Sequence, residues 1–395
     1  MNLNSPHRMS HSSSFDLDQA IASALQKIDA NLVTFAEAYP HDTTLGNVYP
    51  PRKLGPYPEG SNVGWTTGFW PGMIWLAYER TGDSKYREAG ELHVQRFADR
   101  MARELDVDHH DLGFLYSLAC VAPWRLTGND LARQTALQAA DRLMTRYLDR
   151  PGILQAWGAM NDPNQRGRTI VDSLMNTPLL YWASQVSGND RYHTAAYRHA
   201  SQLQKHCVRP DDTTFHTFYF DPETGAPRFG KTAQGAGDDS CWARGQAWAM
   251  YGFALNYAWT RDEALLQTAR RVSDYFLAHL PADKVAYWDL IYRDGNSEER
   301  DSSAAAIAVC GLLELSRWLA EGAIRARYRD AATEILASLY ENYSTRNAPE
   351  SNALLLHGVY SKPGGLGVDE GNLWGDYFYL EALTRLAQPD WKPYW

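Results

Sequence analysis

The chain has 395 residues, 44% of them hydrophobic, and carries a net charge of −9 at pH 7. It is long enough for a large core, but no stretch approaches the roughly 20 apolar residues of a membrane-spanning helix. Lys and Arg form no cluster, which argues against a nucleic-acid-binding surface. The four cysteines are scattered without a CxxC pair, and they indicate neither a disulfide framework nor a zinc site.

The N-terminal residues 1–14 are polar, rich in Ser and His, and lack the apolar segment of a secretory signal. We therefore expect a disordered tail at 1–14 and a single catalytic domain at 15–395. Together with the lack of a membrane span and of a disulfide framework, this segment predicts a cytoplasmic protein.

Helical periodicity dominates the rest of the chain and predicts twelve helices. The predicted spans are 16–38, 68–81, 84–104, 111–127, 130–149, 171–187, 190–206, 240–260, 262–279, 302–319, 325–343 and 372–387. Alternating runs of β-branched residues are nearly absent. The best exception, Thr213–Asp221, predicts a short hairpin in a long loop.

The predicted helices alternate between two kinds. Odd-numbered helices, such as Tyr86–Arg103, are amphipathic, whereas even-numbered ones, such as Trp242–Ala254, are apolar or small nearly all round and should be buried on every side. The junctions repeat too, with Gly suited to a left-handed C-terminus and Asp or Asn suited to the next N-cap. They are Thr81-Gly82-Asp83, Thr127-Gly128-Asn129, Ser187-Gly188-Asn189 and the degraded copy Thr260-Arg261-Asp262. Six such helical hairpins predict an all-α fold, an (α/α)6 barrel with inner and outer helix rings.

The loops before the inner helices should meet at one end of such a barrel, because the inner helices run parallel. These loops carry the aspartates Asp111, Asp172, Asp239 and Asp301. Each could simply be an N-cap worth about 1 kcal/mol. Glycosidases, however, commonly use a pair of carboxyl groups, and burial beside a second carboxylate raises the pKa of one member. A helix N-terminus acts in the opposite sense. Asp111 and Asp172 are the candidate catalytic pair of an enzyme that hydrolyses carbohydrate.

Two adjacent histidines, His109 and His110, invite a metal interpretation. Without a third ligand at helical spacing they are weak evidence for zinc, and we predict neither a metal nor a cofactor. His110 fits better as a hydrogen-bond donor to a sugar hydroxyl or to Asp111. His216 could be a loop histidine without a function.

Arg244 lies one turn into an otherwise apolar inner helix, and a buried Arg needs a partner. That partner could be Asp239 or another carboxylate of the protein. It could also be a substrate carboxylate, held through the planar fork of the guanidinium.

Aromatic residues make up 12% of the chain, including 14 Trp. Flat apolar rings fill cores, and they also stack on sugars in pockets. Core positions are favoured for Trp75, Trp182, Trp259 and Trp318. Positions near the predicted mouth, where stacking on sugar is reasonable, are those of Trp65, Trp157, Trp242 and Trp248.

Five ordered motifs between about Trp65 and Leu386 closely resemble the unsaturated glucuronyl hydrolases, glycoside hydrolase family 88. The motifs are His110–Tyr116, Val171–Asn176, Ser240–Trp248, Asp301–Ala306 and Trp374–Tyr377. The pattern of the related unsaturated rhamnogalacturonyl hydrolases fits less well.

This resemblance implies a substrate and a mechanism. The substrate is a lyase-generated oligosaccharide with a 4,5-unsaturated uronate at its non-reducing end, and the reaction is hydration of that vinyl ether. Asp172 would donate a proton to C4 and activate the water that adds at C5, while Asp111 would hold ring hydroxyls and tune Asp172. Further polar contacts are implied for His216, Gln234 and Arg244. Stacking is implied for Trp65, Trp157, Trp242 and Trp248.

One departure from the family pattern concerns sulfate. Members that act on sulfated glycosaminoglycan fragments share a Ser-x-x-Ser-x-Lys stretch before the Gly-Val-Asp-Glu-Gly motif. Here Gly364 and Leu366 replace the second Ser and the Lys, although Lys362 is nearby. We therefore predict a preference for unsulfated fragments.

Two other functions are compatible with parts of the pattern. Another enzyme on the same fold, such as a rhamnogalacturonyl-type hydrolase or a sugar epimerase, is the first, although an epimerase would call for histidine bases at the mouth. A non-catalytic carbohydrate-binding protein is the second. It would need aromatic platforms but no protonatable pair, so Asp111 and Asp172 argue against it.

Overall fold

The computed structural model describes residues 15–395, so the tail predicted at 1–14 lies outside the described residues. Its α-helices are α1 (Leu17–Thr34), α2 (Phe69–Thr81), α3 (Ser84–Ala102), α4 (Leu112–Tyr116), α5 (Ala122–Thr127), α6 (Asp130–Met144), α7 (Thr177–Ser187), α8 (Asp190–His206), α9 (Ala243–Thr260), α10 (Glu263–Ala278), α11 (Ser302–Arg317), α12 (Ala323–Ser338) and α13 (Leu373–Ala387). Its strands are β1 (Tyr147–Leu148), β2 (Ile153–Leu154), β3 (Arg168–Ile170), β4 (Thr217–Phe220), β5 (Pro227–Lys231), β6 (Gly358–Ser361) and β7 (Leu366–Glu370). Within residues 15–395, every helix is too short or too polar to span a bilayer.

The helices form two concentric rings, which confirms the predicted (α/α)6 barrel. The inner ring consists of α2, the α4–α5 rod, α7, α9, α11 and α13, and the outer ring of α1, α3, α6, α8, α10 and α12. The inner ring closes because α13 packs against both α11 and α2. In α9, every residue from Ala243 to Tyr257 is buried, as expected for a helix enclosed on all sides.

The two ends of the barrel differ in their loops. At the base, where each inner helix turns into the next outer one, the connections are as short as predicted. Gly82, Gly128 and Gly188 adopt the left-handed conformation with φ of 68°, 74° and 72°, and Arg261 does so at 60°. The residue after each of them caps the next helix by accepting a backbone N–H. At the mouth, the connections are long and carry all seven strands.

Several predicted helices are irregular. The helix predicted at 111–127 contains a π turn at Ser117–Val121, directly before the turn in which Pro123 lacks a backbone donor. The helix predicted at 171–187 opens with a 3₁₀ turn, Val171–Met175, and becomes α-helical only at Thr177. The helix predicted at 325–343 ends in a π turn at Leu339–Tyr343.

The predicted hairpin at Thr213–Asp221 supplies only one strand. This strand, β4, is the centre of a three-stranded antiparallel sheet, between β3 and β5. The pairing brings the segment before Asp172 next to His216, because Ile170 pairs with Thr217 and the N–H of Val171 donates to the carbonyl of His216 at 2.9 Å.

Candidate active site

A cavity of about 430 Å³ opens at the mouth, where the inner helices begin. Nine of the ten predicted site residues line it, and His216 lies directly behind Trp242, with ring centroids 4.2 Å apart. The lining side chains are Trp65, His110, Asp111, Trp157, Ile170, Asp172, Ala233, Gln234, Trp242, Arg244, Trp248, Tyr360, Ser361 and Leu366.

The aspartates before the inner helices have different roles. Asp301 is an N-cap, since its side chain accepts from the backbone N–H groups of Ser303 and Ala304. Asp111 precedes α4 and Asp172 lies in the 3₁₀ turn before α7, but neither side chain caps its helix. Capping therefore does not explain Asp111 and Asp172.

Asp239 is exposed and does not cap α9, whose N-cap position is Trp242. The loop before α9 is organised instead by the buried Asp289, which accepts hydrogen bonds from the backbone of Ala236 and Cys241 and from the Ser240 hydroxyl. This aspartate lies far along the chain, between α10 and α11.

Burial raises the pKa of both candidate carboxyl groups. The pKa of Asp172 rises to about 7, against the opposing effects of Arg244 and nearby backbone N–H groups. Burial raises the pKa of Asp111 well above its usual range, the charge of Asp172 raises it further, and a hydrogen bond from the Asn176 amide lowers it. The sequence predicted a raised pKa for one member of the pair, whereas in the structure the pKa of both is raised. A charge on both carboxyl groups at once is therefore disfavoured.

His110 lies between the two carboxyl groups. Its Nε2 is 3.3 Å from Oδ1 of Asp111 and 4.0 Å from Oδ1 of Asp172. Burial lowers the pKa of His110 well below its usual range, so the ring is neutral near pH 7. Within residues 15–395, neither ring nitrogen of His110 has a hydrogen-bond partner. Oδ1 of Asp172 likewise accepts no hydrogen bond from these residues. Buried polar atoms of this kind are costly unless a ligand uses them.

His216 and Gln234 have fixed orientations. The backbone N–H groups of Ala233 and Gln234 donate to Nδ1 of His216 at 3.0 and 3.1 Å, so the proton of this neutral ring is on Nε2. The Gln234 carbonyl oxygen accepts from Arg244 at 2.6 Å, which leaves the amide N–H groups available to the cavity. Each side chain thus has an unused donor. His216 is no incidental loop residue, because it is buried and holds the Gln234 loop.

The partner of Arg244 is Asp301, at 3.2 Å, and not Asp239. The guanidinium also donates to the carbonyls of Val359 and Tyr360 and to Gln234. Its central carbon lies 4.4 Å from the centroid of Trp242, within the range of a cation–π contact. Arg244 is therefore a fixed cation of the cavity wall whose charge Asp301 partly neutralises.

The four mouth tryptophans are held by different contacts. Trp65 packs on Trp374 with centroids 5.1 Å apart, and its indole N–H donates to the Tyr360 hydroxyl at 3.0 Å. Trp157 lies beneath the Arg168 guanidinium at 4.4 Å and faces His110 at 5.8 Å. The remaining pair, Trp242 and Trp248, is almost fully buried in the wall.

Part of the cavity wall was not predicted from the sequence. The hairpin β6–β7 contributes Tyr360, Ser361 and Leu366 to the cavity, and the loop and strand of the neighbouring sheet contribute Ala233 and Ile170. No spacing distinguishes Tyr360 from the other 22 tyrosines among the 23 of the chain. Its contact with Trp65 depends on the hairpin β6–β7, and the two residues are 295 positions apart in the sequence.

Lys362 lies near Gly364 and Leu366, which replace the Ser and the Lys of family members that act on sulfated fragments. Its ammonium group is paired with carboxylates. It pairs with Glu299, and its ammonium lies 3.8 Å from Glu298. Leu366, at the position of the family's Lys, lines the cavity and is 56% exposed.

A pair of buried carboxyl groups beside a wall of tryptophans, at the mouth of an (α/α)6 barrel, is the arrangement of an enzyme that acts on carbohydrate. The family profile of Glycosyl Hydrolase Family 88 matches residues 44–385. The chain belongs to this family and is a glycoside hydrolase.

Individual relatives agree over almost the whole chain. An unsaturated chondroitin disaccharide hydrolase of Streptococcus pyogenes serotype M1 is 44% identical over 381 residues, which cover 96% of this chain and 93% of the relative. The crystal structure of the unsaturated glucuronyl hydrolase from Streptococcus agalactiae is similar with a TM-score of 0.91 and 43% identity, over 96% of this chain and 93% of that one. An aspartate-to-asparagine variant of the Streptococcus agalactiae protein, complexed with dGlcA-GalNAc6S, has a TM-score of 0.84 and 41% identity, over 98% and 95% of the two chains.

Proposed function

We propose that this protein removes a 4,5-unsaturated uronate from the non-reducing end of lyase-generated oligosaccharides by hydrating the C4=C5 bond. Asp172 donates a proton to C4, and a water molecule adds its oxygen to C5 while its proton returns to the Asp172 carboxylate. The product is a hemiketal at C5. Its ring C5–O bond breaks to give a ketone, and the resulting hemiacetal at C1 releases the next sugar. Residues 15–395 act as one catalytic domain.

The protonation state of the carboxyl pair carries this proposal. A group that first gives and then takes back a proton works best with a pKa close to the working pH, and burial raises the pKa of Asp172 to about 7. A charge on both members is disfavoured, so the pair retains a proton near neutral pH. Asp111 shares this proton and supports the ring hydroxyls.

The other polar side chains are suited to bind the charged and hydroxylated ring. The free amide N–H groups of Gln234 and the Nε2–H of His216 are preset donors. Arg244 supplies a fixed positive charge that favours the uronate carboxylate, even though Asp301 already takes part of its hydrogen-bonding capacity. Trp65, Trp157, Trp242 and Trp248 supply flat walls on which sugar rings stack.

The substrate class we propose is a glycosaminoglycan disaccharide, because the similar Streptococcus pyogenes protein is an unsaturated chondroitin disaccharide hydrolase and the Streptococcus agalactiae variant binds dGlcA-GalNAc6S. Unsulfated fragments are preferred. Lys362 is engaged by Glu299 and Glu298, and Leu366 presents an apolar side chain at the cavity rim, so sulfate meets little positive charge there.

The hydration mechanism is tested with an unsaturated chondroitin disaccharide in D2O. The conjugated ultraviolet absorbance should disappear in step with release of the second sugar, and the released uronate should carry deuterium at C4. Release of the second sugar with the absorbance retained would show direct glycosidic hydrolysis and would overturn the mechanism. Neither release nor loss of absorbance, with binding intact, would favour a carbohydrate-binding protein or a sugar epimerase.

A further inference from the structure

The Asp172 carboxyl group is carried by a short turn that is held by hydrogen bonds of a buried histidine and a buried serine. The 3₁₀ turn Val171–Met175 lies between β3 and α7, and its residue after Asp172 is the fully buried Ser173. On the proposed function of Asp172, we infer that His199 and Ser173 are positioning residues. They aim the Asp172 carboxyl group through a directional chain of hydrogen bonds, and their own side chains lie outside the cavity.

The direction of this chain follows from its contacts. The backbone N–H of Leu154 donates to Nδ1 of His199 at 3.0 Å, so Nδ1 is the acceptor and the ring proton is on Nε2. Nε2 lies 2.8 Å from Oγ of Ser173 and therefore donates to it. The Ser173 hydroxyl in turn donates to the carbonyl of Ile170. Every donor in the chain thus has one acceptor, and no alternative tautomer satisfies all three bonds.

The chain joins elements that surround the site. His199 belongs to the outer helix α8, which packs against β2 and against the turn of Asp172. Leu154 lies in β2, three residues before Trp157, which lines the cavity. Neither His199 nor Ser173 lines the cavity. The chain therefore fixes the Asp172 turn relative to the segment that leads to Trp157.

His199 is suited to this task because its charge does not change. It is completely buried, and burial lowers its pKa to about 3. The ring therefore keeps one donor and one acceptor throughout the pH range in which the Asp172 carboxyl group titrates.

Loss of the chain should change the reaction more than the binding of substrate. The backbone N–H groups of Asp172 and Ser173 stabilise the Asp172 carboxylate and lower its pKa. If the turn rotates, the carboxyl group leaves the reacting atoms and loses this stabilisation. We expect kcat to fall by about ten- to a hundredfold with KM within about twofold. The alkaline limb of the pH profile should move to higher pH, because the pKa of Asp172 rises.

The protein contains a matched control residue for each of the two test variants, His199→Ala and Ser173→Ala. His93 lies on the outer helix α3, is equally buried, has its pKa lowered to about 3 by burial, and bonds through Nδ1 to the Tyr39 hydroxyl at 2.9 Å. Ser316 is a buried serine at the base whose hydroxyl donates to the carbonyl three residues earlier, as that of Ser173 does. His93→Ala and Ser316→Ala remove similar packing and hydrogen bonds away from Asp172.

The experiment measures kcat, KM and the pH profile of His199→Ala and Ser173→Ala beside these two controls, with unfolding temperatures for all four. The expected result is a fall in kcat and an alkaline shift for the first two only, with partial recovery in His199→Gln, which restores one donor and one acceptor. Ser173→Ala decides the matter if His199→Ala does not fold. Wild-type-like kcat and pH profiles in the test variants would overturn the inference. Wild-type hydration and the effect of Asp172→Asn test the proposed function separately.

Discussion

The mouth and the base of the barrel both bury carboxyl groups, but they treat them differently. At the base, Glu381 accepts from Arg385 at 2.9 Å, from Trp395 at 2.9 Å and from Tyr251. Glu314 accepts from Arg385 at 2.8 Å and from Trp318 at 2.8 Å. All four carboxylate oxygens therefore have a donor, and a cation lies between the two groups.

At the mouth, Asp111 and Asp172 lack such compensation. The Asn176 amide is 3.5 Å from Asp111, and Oδ1 of Asp172 has no donor within residues 15–395. The comparison shows that the same fold can satisfy buried carboxylates when it serves stability. At the mouth it leaves Oδ1 of Asp172 without a donor, which suits a carboxyl group that gives and takes back a proton in the proposed mechanism.

Asp172→Asn should lower kcat by about a thousandfold or more, since a positioned acid–base group contributes 10²–10⁴-fold. The variant should nevertheless be as stable as the wild type, or more stable at pH 8. Burial raises the pKa of Asp172 in the folded protein from 3.8 to about 7. The folded protein thus loses stability as pH rises from about 4 to about 7, and asparagine removes this loss. Initial rates of absorbance loss and thermal melts at pH 5 and pH 8 measure both effects.

Asp262→Asn is the control for this variant. Asp262 caps α10 at the base, and asparagine caps a helix equally well. A comparable loss of activity in the control, or normal turnover by Asp172→Asn, would contradict the assignment.

Arg385→Met should give the opposite pattern at the base. Removal of the cation leaves Glu381 and Glu314 buried without their ion pair, which we expect to lower the free energy of unfolding by about 3–5 kcal/mol. Below the melting transition, kcat should stay within about twofold of wild type, because no atom of this cluster lines the cavity. Denaturant unfolding and kinetics on the same preparation measure both quantities.

Arg317→Met is the matched control, because Arg317 pairs with the same Glu314 at 3.6 Å but is 29% exposed. It should lower the free energy of unfolding by less than about 1 kcal/mol. If both variants unfold alike, the compensation argument for the base fails.

Asp111→Asn should separate the two members of the pair. Without the charge of a neighbouring carboxylate, the remaining carboxyl group releases its proton more easily. In the proposed mechanism activity requires this proton, so the alkaline limb of the pH profile should move to lower pH. We expect kcat to fall by about a hundredfold, less than in Asp172→Asn. An unchanged alkaline limb would indicate that the carboxyl groups titrate independently.

The smallest effect concerns the rim of the mouth. Leu366→Lys with Gly364→Ser restores the two residues of the sulfate-type stretch. The backbone permits both changes, since the nearest atom to a Cβ at Gly364 is the movable Ser361 hydroxyl at 3.0 Å and Leu366 is exposed. The ratio of the rate on sulfated to that on unsulfated disaccharide should rise by about tenfold, because the new Lys adds one charge contact at a partly exposed site.

The control for the rim variant is Leu366→Gln with Gly364→Ser, because the Gln side chain is similar in length to Lys but carries no charge. Its rate ratio should stay close to that of the wild type. Faster turnover of the sulfated disaccharide by the wild type itself would refute the predicted preference for unsulfated fragments.

The ring of helices could be predicted from the sequence because its signals are local. An apolar face of helical period and the repeated Gly-Asp or Gly-Asn junctions are each contained in a few residues. Arg261 illustrates the strength of this signal, since it adopts the left-handed conformation that the other junctions assign to glycine. The 3₁₀ turn before α7 was not predicted, because its apolar residues fit an ordinary helix equally well.

The placement of the predicted residues around one cavity also followed from topology, since the starts of parallel inner helices must meet. The partners of these residues did not follow. Asp301 and not Asp239 pairs with Arg244, and Tyr360 touches Trp65, through contacts between segments far apart in the sequence. The raised pKa of Asp111 depends on burial, which no local pattern contains. The predicted catalytic and binding roles stay predictions until the variants are measured.

The closed inner ring has a consequence for biosynthesis. A chain that leaves the ribosome from its N-terminus makes α2 early, but one inner neighbour of α2 is α13, at the opposite end of the sequence. The face of α2 that packs on α13 can therefore be covered only after almost the complete chain has been made. At a synthesis rate of about 5–20 residues per second, this apolar surface of α2 should stay exposed for roughly tens of seconds, long enough for a chaperone to bind it. Folding after translation should then occur in a single late step, when α13 enters the gap between α11 and α2.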